Sequence, residues 1–217
     1  MTLALATATA ALSRDGAQTS IRELNQLLRE LGDRRHLDAM VTVFDAMIAA
    51  GVKPTQVTYG TVISRAGACL QPQVASRMYR DMLRRGLQPD TQTLNSLINA
   101  YAKAGQVSKA YAAADVMRKL GVTPTLVTYN TLIDACTREG NVSLAYSTLR
   151  ELHAAALRPN ARTFSILIHL CARASRVDDA FSWFRKMVES GETPNEITYS
   201  TLINACGRAG QLERAFA

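Results

Sequence analysis

Apolar residues return along this chain at two spacings, a short one within segments and a long one between them. From Leu126, the fourth, seventh, eighth and eleventh residues are Tyr129, Leu132, Ile133 and Cys136; one long period later they are Phe164, Leu167, Ile168 and Cys171. At about 100° per residue these positions fall within one arc, the apolar stripe of an amphipathic helix. The second, fifth, ninth and thirteenth residues point the other way: Val127, Asn130, Asp134 and Arg138, then Arg162, Ser165, His169 and Arg173. That face is mostly polar. Further on, Ala145, Leu149 and Leu152, then Ala180, Phe184 and Met187, form an i, i+4, i+7 stripe that predicts a second helix in each period.

The long spacing is 35 residues, shared by Pro54, Pro89, Pro124, Pro159 and Pro194, with Pro72 alone outside the series. Gly51, Gly86, Gly121 and Gly191 keep the same step, with Ala156 in the missing slot. Cys136, Cys171 and Cys206 keep it too, as do Ala75, Ala110, Ala145, Ala180 and Ala215, with Met40 as the earlier member. Independent columns at one period define an internal repeat. Counted from Ile21, the units are residues 21–55, 56–90, 91–125, 126–160 and 161–195, followed by a partial unit at 196–217. Thr58, Thr93, Thr128, Thr163 and Thr198 open the first helices and are expected to be N-caps, with Glu23 in that place in the first unit. The glycine column is expected to end the second helix in the left-handed conformation, and the proline three residues later stops its continuation. One such hairpin cannot bury its apolar stripe alone. Stacked neighbours make the core continuous, so the expected fold class is all-α, an α-solenoid with first helices on one surface and second helices on the other.

Units such as LVTYNTLIDACTREGNVSLAYSTLRELHAAALRPN and TQTLNSLINAYAKAGQVSKAYAAADVMRKLGVTPT, together with VTYGTVI at Val57–Ile63 and ITYSTLI at Ile197–Ile203, resemble the pentatricopeptide repeat family. The resemblance runs from Ile21 to Ala217, and the uniform unit length is similar to the pure 35-residue subclass. The tetratricopeptide repeat fits poorly: its period is 34 with a W-x-x-L-G-x-x-Y signature, whereas the lone Trp183 stands in a second helix. The resemblance implies a right-handed α-α superhelix that binds single-stranded RNA in organelle RNA metabolism, through end protection, processing, splicing or translation. It implies about one base per repeat and no catalysis within the repeats. The alternatives are a protein-binding scaffold using the same face, and the RNA-targeting fragment of a larger RNA-processing enzyme.

In that family the fifth and last residues of a unit jointly face one base edge, while the second residue packs against the base plane. Carried over, the base-reading pairs are Asn25 with Thr55, Gly60 with Asp90, Asn95 with Thr125, Asn130 with Asn160, and Ser165 with Asn195; Ser200 has no partner within the chain. An amide suits a pyrimidine, and a hydroxyl or glycine leaves room for a purine. The implied core is 5′-Y-G-Y-Y-A-R-3′, with the N-terminal unit toward the RNA 5′ end. The base-stacking column is Arg22, Val57, Gln92, Val127, Arg162 and Ile197. At the thirteenth position, Lys103, Arg138, Arg173 and Arg208 form a basic ladder on the same face, suited to phosphates; Asp33 and Ala68 break it in the first two units.

Composition adds limits rather than chemistry. The 217 residues carry 25 Lys+Arg against 18 Asp+Glu, a formal charge of +7, which suits nucleic acid or an anionic surface. No apolar run is long enough to span a membrane. The four Cys lack C-x-x-C spacing, so the three in register read as core and no metal site is expected. Neither is a cofactor site. His36, His153 and His169 show no metal or deaminase pattern, although His169 shares the RNA-facing side. The Met47, Met82, Met117 and Met187 column reads as core packing, and Tyr59, Tyr129 and Tyr199 as buried.

The acid-free opening MTLALATATAALSR suits an organelle transit peptide, chloroplast ahead of mitochondrion. The register run backwards puts Leu12 and Gly16 in the late columns of a unit and Ser20 at its end, so residues 1–20 also read as half of a preceding repeat, which we prefer. The stop at Ala217 in mid-helix leads to the same expectation of a fragment of a longer array, whose apolar end faces offer a route to self-association.

Overall fold

A computed structural model of the chain describes residues 21–33 and 36–216. The reading of residues 1–20 falls outside them. The described residues form helices and connecting turns, with no strand. First helices are α1 (Ile21–Asp33), α3 (Gln56–Ala68), α5 (Thr91–Lys103), α7 (Leu126–Glu139), α9 (Ala161–Arg173) and α11 (Glu196–Arg208). They alternate with α2 (Leu37–Ala49), α4 (Pro72–Arg84), α6 (Val107–Lys119), α8 (Val142–Ala154), α10 (Val177–Glu189) and α12 (Leu212–Phe216). Each first helix begins 35 residues after the one before.

Two compact units divide the chain, one holding α1 to α5 and the other α6 to α12. In the first, α1 packs on α2 and α3, and α3 on α4 and α5. In the second, α7 packs on α8 and α9, and α9 on α10 and α11. Within each unit, then, a first helix touches its own hairpin partner and the next first helix, as the α-solenoid class requires.

The sequence stripes are the buried ones. Tyr129, Leu132, Ile133 and Cys136 are buried, as are Phe164, Leu167, Ile168 and Cys171, and the Met47, Met82, Met117 and Met187 column is fully so. Tyr199 departs from the expectation. It is 50% exposed, with its ring edge-on to Phe184 at 5.7 Å, whereas Tyr129 packs against Ala145, Leu149 and Leu152 of its own second helix.

Polar bonds tie adjacent hairpins in register. Tyr111 of α6 meets Cys136 of α7 at 3.2 Å, and Tyr146 of α8 meets Cys171 of α9 at 3.4 Å. In the first unit the sizes are exchanged: Ser76 stands in the tyrosine column and Tyr101 in the cysteine column, and their hydroxyls bond at 3.0 Å. Burial first, and the tyrosine contact second, govern Cys136 and Cys171; burial prevails and pushes both thiols up, which keeps them neutral packing groups.

The helix starts correct one expectation. The threonine column is not the N-cap. The residue after each proline, Thr55, Asp90, Thr125, Asn160 or Asn195, takes an extended conformation and caps the next helix. The preceding proline lacks an N–H and fixes φ, so the chain enters the helix only after that residue. Thr58, Thr128 and Thr163 lie at the third helical position and close capping boxes with their caps. At the other end the glycine column is left-handed as expected, with φ from 71° at Gly121 to 80° at Gly191. Ala156, in the slot without a glycine, is forced to φ 56°.

Candidate nucleic-acid interface

The fifth and last residues of a unit come from different helices, yet the structure joins them through the threonine of the following unit. In the unit at 126–160, the Thr163 hydroxyl donates to Asn130 Oδ1 at 2.8 Å and lies 3.1 Å from Asn160 Oδ1. In the first unit, Thr58 donates to Asn25 Oδ1 at 2.8 Å and meets the Thr55 hydroxyl at 3.1 Å. In the unit at 161–195, Ser165 meets Thr198 at 3.2 Å, and Thr198 donates to Asn195 Oδ1 at 3.0 Å. In the unit at 56–90 the fifth residue is Gly60, and a methyl built there would stand 3.5 Å from the Thr93 hydroxyl.

Asn130 is only 3% exposed, against the expectation of an open polar face, because Thr163 and the neighbouring helix cover it. Asn25, Asn95 and Ser165 are half-buried, and Asn160 and Thr125 likewise; Asp90, Asn195, Thr55 and Ser200 are exposed. Ser200 donates to the Ile197 carbonyl at 3.1 Å, a local helix bond. The second-position column is open: Val57 is 50% exposed, Val127 61% and Ile197 70%, and Arg22, Gln92 and Arg162 are exposed as well. These apolar side chains thus leave half or more of their surface open at the helix starts.

Gly60 opens a cavity of about 580 Å³, lined also by Asp90, Gln92, Arg29 and Arg65. Two missing side chains shape it. Gly60 contributes no wall, and Gly32 lets the Arg65 guanidinium lie across it, 2.9 Å from where a Cβ would be. Arg65 is pinned there by Asp33 at 3.0 Å. Burial works against the charged form of Asp90, but the Thr93 backbone N–H and hydroxyl and the Gln56 amide outweigh it and hold the carboxyl below the usual range. At neutral pH the cavity therefore presents a carboxylate acceptor on one side and a guanidinium donor on another.

Lys103, Arg138, Arg173 and Arg208 are all exposed at the ends of their helices. Arg138 lies 3.6 Å from Asp134, and Arg208 reaches the Ala172 carbonyl at 3.5 Å, so two rungs are held by local contacts. His169 lines a smaller cleft with Arg162, Ser165 and Ile197. Burial, then Arg173, then Arg208 push its imidazole below the ordinary value, against the pull of Asp134. No cluster of metal ligands exists among the described residues, and no helix among them is long and apolar enough to cross a membrane.

Sequence reasoning named the fifth and last columns but missed what connects them. The threonine column stands out in the sequence, but its place at the third helical position is set by the cap that the residue after proline provides. The Gly32, Asp33 and Arg65 arrangement had a weaker signal, an acid at the ladder position facing a base one unit on.

Models of the pentatricopeptide repeat domain match residues 10–68 and 77–139, and models of the PPR repeat family match 124–173 and 167–208, with a single PPR repeat at 57–87. None of the curated proteins matches the chain. Among solved structures, the pentatricopeptide repeat protein PPR10 in complex with an 18-nt psaJ RNA element is 27% identical over 98% of this chain, with a TM-score of 0.81. PPR10 from maize matches at 26% identity over 98% of this chain and 30% of its own, with a TM-score of 0.78. The PPR domain of Arabidopsis thaliana protein-only RNase P 1, in complex with tRNA, shares the fold at 14% identity and a TM-score of 0.71, over 86% of this chain and 98% of that one. The chain spans 31% of the length of the RNA-bound PPR10.

Proposed function

Because the chain belongs to the pentatricopeptide repeat family, we propose that it is a sequence-selective reader of single-stranded RNA, taking about one base per repeat and performing no catalysis itself. One observation carries this reading. In three units the fifth and last residues meet at the threonine of the next unit, beside an exposed second-position side chain. A base slotted there meets polar atoms at its edge and a side chain on its face, the two contacts that single-strand recognition needs. PPR10, bound to an RNA element in its own crystal structure, supports the same reading.

The base order is 5′-Y-G-Y-Y-A-R-3′, read from the N-terminal unit. The basic ladder holds phosphates and positions the strand without reading it. The family resemblance extends the proposal to work in an organelle, chloroplast ahead of mitochondrion, on transcript protection, processing, splicing or translation. A stacked array that holds RNA single-stranded can block a nuclease or keep a site unpaired.

The test is fluorescence-anisotropy binding to unstructured RNAs carrying this core, at two salt concentrations. Pyrimidine opposite the Asn130 unit and adenine opposite the Ser165 unit are the expected preferences. Binding that falls steeply with salt and ignores sequence reduces the protein to a basic surface. No binding at all moves the reading to a protein scaffold.

A further inference from the structure

The second helix of the unit at 56–90 carries an arginine stripe that the other units lack. Arg77, Arg80 and Arg84 of α4 are all exposed. At 100° per residue they fall within about 60° of arc, and at 1.5 Å rise per residue they span about 10.5 Å of helix. The same three positions hold Thr42, Asp45 and Ala49 in the first unit and Ala112, Asp115 and Lys119 in the third. In the fourth and fifth they hold Ser147, Arg150 and Ala154, then Ser182, Arg185 and Glu189. Elsewhere, then, this surface is served by small or charge-balanced sets, and the fold does not call for three cations. Like charges on adjacent turns repel. Asp45 relieves only Arg77, at 2.7 Å. Arg80 has the Ser76 carbonyl at 3.3 Å, and among the described residues neither Arg80 nor Arg84 forms an ion pair. The stripe also stands where the first-helix ladder fails, since Asp33 and Ala68 replace its cations in the first two units.

We propose that the α4 stripe is a second RNA contact, holding phosphates of the segment 5′ to the bases read on the first-helix face; this rests on the RNA-reading function of the array. Guanidinium forks match phosphate oxygens. They match carboxylates too, but a separate acidic protein needs about 800 Å² of surface for a stable interface, far more than three side chains supply. An RNA flank differs because it is already tethered. A short flexible link delivers it at an effective concentration in the millimolar range, roughly, where weak contacts suffice. The reach is available: ten nucleotides extend about 34 Å even at duplex spacing, against about 20–24 Å across two stacked helices. The stripe reads no bases. It lengthens the footprint of the array beyond one base per repeat.

The experiment compares binding of the whole chain to the six-base core alone and to the same core with ten uridines on its 5′ side. In wild type the flank is expected to raise affinity about fivefold, the upper worth of one exposed ionic contact. It should also steepen the slope of log affinity against log salt by about 0.7 for each phosphate held. The double variant Arg80→Gln, Arg84→Ala leaves the Arg77–Asp45 and Arg85–Asp81 pairs in place. It should bind the core as wild type does and lose both effects of the flank. Arg150→Gln with Arg185→Gln removes the same charge from the matching column of other hairpins and should keep them. A flank effect that survives in the Arg80, Arg84 variant overturns the proposal, as does one lost equally in the Arg150, Arg185 variant, which would reduce it to net charge. A wild type indifferent to the flank also overturns it, and a polyglutamate peptide bound through Arg80 and Arg84 in that case assigns the stripe to an acidic protein. If the core binds and the flank adds nothing, only this inference falls; if the core itself is not bound, the RNA-reading function falls with it.

Discussion

Gly60 sets stability against recognition, and substitutions there move the two in opposite directions. It is the one fifth-column residue without a side chain, and it sits inside α3 rather than at a turn. Glycine in a helix interior costs about 0.5–1 kcal/mol relative to alanine. A methyl added at Gly60 makes ordinary contact, 3.5 Å from the Thr93 hydroxyl, so no clash offsets that gain. Gly60→Ala is therefore expected to stabilise the chain by about 0.5–1 kcal/mol in urea unfolding. Gly60→Asn goes further. Its amide oxygen can accept from Thr93 as Asn25 accepts from Thr58 at 2.8 Å, and the side chain then occupies the mouth of the 580 Å³ cavity. A two-ring base loses its space, while the Asp90 carboxylate remains to accept from uracil N3–H. Wild type should prefer guanine at that position and Gly60→Asn uracil. The swing is about 1–3 kcal/mol, roughly five- to 150-fold in relative affinity. The assay is anisotropy on four RNAs differing at that base, beside urea unfolding of each variant. A Gly60→Asn protein that keeps the guanine preference refutes the cavity as the reading site. A Gly60→Ala protein that loses stability refutes the packing described around Thr93.

The left-handed slot offers a reciprocal pair: Ala156→Gly should stabilise and Gly121→Ala destabilise by about 0.5–1 kcal/mol each. A Cβ at Gly121 meets nothing within 4 Å, so urea unfolding reads the backbone alone, and a neutral Gly121→Ala would sink the argument. Arg173→Ala should weaken binding to every RNA alike and lower the slope of log affinity against log salt by about 0.7, with base preferences unchanged; a change confined to one base would contradict a phosphate role. His169 has a folded pKa below its ordinary 6.5. The unfolded chain thus binds that proton first, and stability is full above about 6.5 and declines as pH falls toward the folded value. His169→Gln should flatten that decline between pH 7.5 and 5.5 in urea midpoints.

Much of the fold was legible because a repeat states the same message several times. The apolar stripe of α7 needed only 100° arithmetic, and its return in α9 removed the choice of register. Gly121 and Gly191 announced left-handed helix ends because no other residue takes that conformation so cheaply. The threonine column was harder. Thr163 is a plausible cap by composition, and only the extended conformation after Pro159 shows that Asn160 takes that place. Asn130 looked exposed on a helical wheel, since a wheel holds one helix and the Thr163 that covers it belongs to another. The Arg65 guanidinium over Gly32 was illegible for the same reason: it is a contact between repeats, and neither residue is unusual within its own.

The exchange of sizes between Ser76 with Tyr101 and Tyr111 with Cys136 governs how such repeats can be shuffled. A hairpin carries half of a lock on each side, and its large or small half must meet the complementary half next door. Moving the unit at 91–125 to sit after 126–160 would bring Tyr146 against Tyr101, two rings where each observed junction holds one. Duplication of a tyrosine–cysteine unit beside itself would keep every lock closed. Recombination that lengthens or rewrites the array is therefore free only within matching neighbours, and the junction residues, as well as the base-facing ones, decide which new target sequences the lineage can reach.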